Sequence, residues 1–225
     1  MSTSTPASTL PATTWPDAVL FDCDGTLADT EPLSDRAWAE VLVRYGYEPT
    51  DEDFAAVIGH VWPRVFEHFS ARASLGDPVT FRAELATVSA RLYETELELF
   101  EDTVGTIRAL VAAGVPVAVV SSSPRAHVER CLAQGGLLDA VAVVVGADDV
   151  DEHKPSPAPY LAAATALGVD PRRCVVVEDT AVGLAAGKAA GCFAVAVDRG
   201  RVASSALAAA DRIVPELSPD AVRGR

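Results

Sequence analysis

Two carboxylates stand two positions apart where the apolar run 18–21 gives way to Asp22-Cys23-Asp24-Gly25-Thr26. A short run of apolar, β-branched and aromatic residues reads as a buried strand. Strand side chains alternate faces, so in a straight strand Asp22 and Asp24 point the same way. Held that close, each charge makes the other harder to ionise. A divalent cation compensates for such repulsion, because hard cations take carboxylate and carbonyl oxygens. The same residues also suit a turn whose aspartates cap local backbone amides. Taken alone, the stretch leaves both readings open.

Other polar residues close later apolar runs. Ser121-Ser122-Ser123-Pro124 follows 115–120, and Glu178-Asp179 follows 174–177. In open α/β sheets, ligands bind at the carboxyl ends of the strands near a switch in strand order. That rule delivers Asp22, Asp24, Ser121, Glu178 and Asp179 to one edge. Carboxylates converging there need a cation, which favours metal-assisted chemistry over the turn. The chain has two lysines, Lys154 and Lys188. Lys188 lies in an Ala-Gly-rich helical run and reads as a surface charge. Lys154 sits in His153-Lys154-Pro155, where the proline stiffens the loop. It suits a fixed point charge facing carboxylate and phosphate, against the alternative of a solvated surface lysine.

The elements that position these residues follow from periodicity. From 31 to 99 the pattern is helical, with Ala37, Trp38, Val41, Leu42 and Tyr45 on one face. Further helices fall at 51–58, closed by Gly59, from Trp62-Pro63 onward, and around Phe81, Leu85, Val88 and Leu92. After 100, helices alternate with Val-rich strands at 115–120, 141–145, 174–177 and 193–197, with a weaker one at Ile213-Val214. A short Ala-rich helix is expected before that last strand. Such alternation argues for a parallel sheet covered on both faces. The expected fold is α/β, a doubly wound parallel-sheet, Rossmann-like core with an inserted all-helical cap. The expected domains are a disordered tail over 1–14, a core over 15–31 and 100–225, and a cap over 32–99.

The formal charge of −14 over 225 residues works against nucleic acid and anionic membrane surfaces. It also requires any phosphate site to be made locally positive. Cys23, Cys131, Cys174 and Cys192 form no CxxC pair and read as reduced, buried thiols. Cys23, between the two aspartates, reads as core. No apolar run reaches the ~18 residues of a membrane span, and the N-terminus lacks a secretory pattern. The expectation is a cytoplasmic monomer with no nucleic-acid or membrane partner. His68 and His127 read as helix-surface residues.

Asp22-Cys23-Asp24-Gly25-Thr26, Ser121, Lys154 and Glu178-Asp179 together resemble the haloacid dehalogenase superfamily. Asp29-Thr30-Glu31-Pro32-Leu33, Lys154-Pro155-Ser156-Pro157 and Glu178-Asp179-Thr180 look like its β-phosphoglucomutase-like branch, with a helical cap. The resemblance implies that Asp22 is a nucleophile forming an aspartyl-phosphate and that Asp24 is the acid/base. It implies Mg²⁺ held by Asp22, the Asp24 carbonyl and Asp179, with Glu178 beside it. Lys154, Ser121, Ser122, Gly25 and Thr26 would bind phosphate. The branch's mutases carry a histidine where Ser34 stands, and their cap-loop arginine has a different spacing from Gly59-His60-Val61-Trp62-Pro63-Arg64. The expected function is a Mg²⁺-dependent phosphatase of a small sugar or polyol phosphate, with His60, Trp62 and Arg64 meeting substrate. A sugar phosphomutase and a non-enzymatic sugar-phosphate binder are the alternatives. Trp62 and Phe66 also suit simple packing between cap helices.

Overall fold

The computed structural model describes residues 14–57 and 62–223. The expected tail, apart from Thr14, lies outside the described residues, as do Gly59 and His60. Short Val- and Ala-rich runs form one parallel sheet of six strands. They are β1 (Ala18–Phe21), β2 (Val117–Val120), β3 (Val143–Val145), β4 (Cys174–Glu178), β5 (Phe193–Val197) and β6 (Arg212–Val214). The order is β3-β2-β1-β4-β5-β6. The chain runs outward from β1 through β2 to β3, then returns to the other side of β1 with β4. The strand order therefore switches direction between β1 and β4, where open α/β sheets bind their ligands.

The four central strands, β2, β1, β4 and β5, are buried on both faces, which explains why they carry no polar alternation. Leu20, Ala118, Val120 and Val176 pack with Tyr160, Ala163 and Ala164 of α7 (Ala158–Leu167) and Ala186 of α8 (Ala181–Ala189). Val19, Phe21, Val117 and Val119 alternate with these and are equally buried. Helices α5 (Glu101–Ala112) and α6 (Arg125–Gln134) supply the crossovers into β2 and β3. The Ala-rich segment before β6 is a 3₁₀ turn, Ser204–Leu207, rather than an α-helix. Its run is too short to sustain a longer helix.

The chain divides into two compact units, Met1–Thr26 with Glu101–Arg225, and Leu27–Phe100. The first is the doubly wound core; the second is the helical cap. The cap contains α1 (Glu31–Arg44), α2 (Asp51–Val57), α3 (Trp62–Ser70) and α4 (Pro78–Glu96). Its ends run side by side, joined by an antiparallel bridge between Ala28 and Leu99. Trp38 sits 5.3 Å from Trp62, 5.1 Å from Phe69 and 5.3 Å from Phe81, so an aromatic cluster holds α1, α3 and α4 together. Trp62 also stacks on Phe66 at 5.4 Å.

His68 is not the surface residue expected from its sequence. Its Nε2 lies 3.0 Å from Oδ1 of buried Asp53, which also accepts from Tyr47 Oη at 2.7 Å and the Thr50 amide at 3.0 Å. Burial pushes the Asp53 carboxyl up, but these donors outweigh it and hold the group well below the usual carboxylate range. The cluster ties α2 to α3.

Candidate active site

β1 ends at Phe21, and its register pairs that residue with Val119 of β2 and Val177 of β4. The next residue, Asp22, still donates its amide to Val177 O at 2.9 Å. β4 runs one residue further and ends on Glu178, with Asp179 following. The two strands therefore release three carboxylates side by side at the switch point. Oxygens of Asp22, Glu178 and Asp179 all lie within 4.8 Å of one another, and all three residues are buried. Lys154 reaches this group from the loop before α7. Its Nζ donates to Asp22 Oδ1 at 2.5 Å, Glu178 Oε1 at 2.7 Å and Val120 O at 3.1 Å.

Burial, with Glu178 and Asp179 adjacent, raises the Asp22 carboxyl well above its ordinary range, and Lys154 opposes that rise. Burial disfavours the Lys154 ammonium, yet Asp22 and Glu178 outweigh it and keep the charge in place. Three buried carboxylates facing one ammonium leave negative charge uncompensated, and the donors are all hard oxygens. This set fits a divalent cation of the Mg²⁺ or Ca²⁺ type.

Glu178 has a second set of partners. Oε1 also accepts from Tyr160 Oη at 2.7 Å, and Oε2 from Thr180 Oγ1 at 3.0 Å. Thr180 caps α8 by accepting from the Gly183 amide at 3.1 Å. Close packing sets the glycines here. A Cβ on Gly183 would stand 1.7 Å from Glu178 Oε1. Gly25 has φ +82°, and a Cβ there would stand 2.1 Å from Asp179 Oδ2. The turn carrying Gly25 and Thr26 is held from below, where Thr26 O accepts from Thr103 Oγ1 at 2.8 Å and Arg199 Nη2 at 3.3 Å. Thr26 Oγ1 lies 3.4 Å from Asp179 Oδ1.

Asp22 and Asp24 take different partners, against the straight-strand expectation. The strand stops at Phe21, so alternation no longer governs the two side chains. Asp24 Oδ2 accepts from Ser121 Oγ at 2.8 Å and Ser123 Oγ at 2.9 Å. Its Oδ1 lies 2.9 Å from His127 Nε2. Burial raises the Asp24 carboxyl, but His127, Ser121 and Ser123 outweigh it and hold the group well below its usual range. Burial works against charge on His127; Asp24 overcomes this and lifts the imidazole to about 10. His127 is thus a half-buried ion-pair partner, correcting its reading as a helix-surface residue.

Of the core residues expected at one edge, Asp22, Asp24, Gly25, Thr26, Ser121, Lys154, Glu178 and Asp179 converge. Ser122 is exposed beside them. Trp62 is in the cap's aromatic cluster, and exposed Arg64 pairs with Glu67 at 3.0 Å. Sequence reasoning missed Tyr160, Thr180, Ser123 and His127. Thr180 and Ser123 lie within motifs already singled out, without a role assigned to them. His127 carries a weak signal, its i, i+4 spacing from Cys131.

A doubly wound sheet with carboxylates and a fixed lysine at its switch point defines a class of α/β enzyme built for anionic substrates and a hard metal. A family model for haloacid dehalogenase-like hydrolases matches residues 16–191, and the chain belongs to that family. It is 37% identical over 182 residues to Hexitol phosphatase A of Escherichia coli, covering 80% of this chain and 82% of that one. It is 35% identical over 181 residues to an Escherichia coli fructose-1-phosphate phosphatase, covering 80% and 95%. Among solved structures, CbbY from Rhodobacter sphaeroides in complex with xylulose-(1,5)bisphosphate superposes with TM-score 0.78 at 27% identity, covering 89% and 94%. No helix among the described residues is long and apolar enough to cross a membrane.

Proposed function

We propose that the chain is a Mg²⁺-dependent phosphatase of a small sugar or polyol phosphate, acting through an aspartyl-phosphate on Asp22. The observation that carries this reading is the Asp22–Lys154–Glu178 chain beside Asp179 at the β1/β4 switch point. The sugar and polyol phosphatases among its relatives support the substrate class.

A carboxylate oxygen of Asp22 bonds to phosphorus as the ester P–O bond breaks. Lys154 fixes the nucleophile and offsets part of the charge brought by the phosphate. Asp24 gives a proton to the leaving oxygen, then takes one from the water that cleaves the aspartyl-phosphate. Held by His127, Ser121 and Ser123, Asp24 is ionised. It becomes an acid when it leaves those donors, because they favour its charged form. Gly25, Thr26, Ser121 and Ser122 supply hydroxyls and amides for the remaining phosphate oxygens. Asp22, the Asp24 carbonyl and Asp179, with Glu178 adjacent, would hold Mg²⁺, which would supply positive charge against nucleophile–phosphate repulsion. In the cap, Arg64 and Trp62 are assigned to substrate choice, with His60 beside them in sequence.

The test is phosphate release over hexose, hexitol, polyol and nucleotide monophosphates with Mg²⁺. Asp22→Asn should lower kcat by several orders of magnitude, on the scale of ~10⁶ for loss of a covalent nucleophile. A variant that keeps its rate would remove Asp22 from this role. Interconversion of sugar 1- and 6-phosphates without phosphate release would identify a mutase instead.

A further inference from the structure

Cys23 and Cys131 are buried and take no part in the chemistry above. Cys23 lies on the loop leaving β1, between Asp22 and Asp24. His127 and Cys131 are four residues apart on α6 and so share a face. The ligand atoms of Cys23, His127 and Cys131 all lie within 4.8 Å of one another. Cys131 Sγ is 3.7 Å from His127 Nε2. A tetrahedral zinc ion with Zn–S of ~2.3 Å and Zn–N of ~2.0 Å sets that edge at ~3.6 Å. Asp24 Oδ1, at 2.9 Å from the same nitrogen, is placed to be a fourth donor. Both thiols are buried, whereas the His127 and Asp24 side chains keep 12% and 24% exposure, so an ion enters past Asp24.

We propose that Cys23, His127 and Cys131, completed by Asp24, form a second metal site that binds Zn²⁺ and holds the enzyme inactive. The two sites differ in donor chemistry. Asp22, Glu178 and Asp179 offer oxygen alone and suit a hard ion, whereas two sulfurs and an imidazole select a softer one. Binding displaces to solvent the His127 imidazolium proton and the protons still held by the two sulfurs, so that neutral imidazole and thiolates are the ligands. Zinc there ties down the carboxylate that must move protons. Inhibition, unlike binding, rests on the acid/base role proposed for Asp24.

The test titrates the full chain with Zn²⁺ under saturating Mg²⁺, by calorimetry and by phosphate-release assay in parallel. One equivalent of zinc should bind and suppress turnover. Cys131→Ala should keep the zinc-free rate, bind zinc at least ~10-fold more weakly and resist inhibition. Cys131→Val serves if the alanine variant does not fold. Cobalt on the wild-type chain should show a thiolate-to-metal charge-transfer band. Failure to bind that equivalent of zinc, absence of that band, or unchanged zinc inhibition in the Cys131 variants would overturn the site. A chain that binds zinc through Cys131 but releases no phosphate from any substrate would retain the site and remove the phosphatase reading.

Discussion

Asp22 and Asp24 are one residue apart from being neighbours, yet the protein gives them opposite electrostatic settings. Asp22 is crowded by carboxylates and restrained by Lys154; Asp24 is surrounded by donors. Replacing Lys154 with Met leaves Asp22 and Glu178 buried without their ammonium. Breaking a buried pair in this way costs ~3–5 kcal/mol, which urea unfolding should register, and added Mg²⁺ should restore part of it. His127 predicts a pH dependence. Its folded value is raised from 6.5 to about 10, so its contribution is full below 6.5 and is lost as pH rises toward 10. The thermal midpoint of the wild type should fall across that window relative to His127→Gln. Equal slopes in the two proteins would show that the His127–Asp24 pair does not stabilise the fold.

At the scale of elements, the site depends on how strands and helices end. β4 stops on Glu178, and Thr180 opens α8 while donating back to that carboxylate. Gly183, in the first turn of α8, leaves the space Glu178 fills. Gly183→Ala should displace Glu178, loosen Lys154 and weaken Mg²⁺ binding by ~10-fold or more, measured calorimetrically. Unchanged affinity would show that Glu178 does not support the metal. These endings were partly legible beforehand. The apolar runs marked β1, β4 and β5 to within a residue, because a strand buried on both faces has no polar alternation to blur its limits. The start of β2 fell two residues inside its apolar run, where Val115 is buried without joining the ladder.

For the whole molecule, three buried carboxylates make folding costly while Asp22 is ionised. Its raised folded value means the folded form favours the proton, so stability is lost as pH rises past the unfolded value. A cation bound only by the folded state should reverse this. Mg²⁺ at 100 times its dissociation constant should add ~2.7 kcal/mol, chelator should remove it, and Asp179→Asn should abolish it. A thermal midpoint indifferent to Mg²⁺ would argue against the carboxylate cluster as its site.

The sequence by itself determined the architecture and which strand-end residues meet at the switch point. Strand-length apolar runs, helical periodicity and polar residues at strand ends are local properties, and a parallel sheet brings its carboxyl ends to one edge. Tertiary structure alone decided the pairings. That Lys154 bridges Asp22 and Glu178, that Tyr160 backs the bridge, and that His127 faces the Asp24 carboxylate are contacts across 132, 18 and 103 positions. Such contacts depend on strand order and on where each strand stops, and no residue's type or spacing encodes them locally. The repulsion suggested by two aspartates in one short loop is thereby resolved in space: one carboxylate faces the ammonium, the other the imidazole.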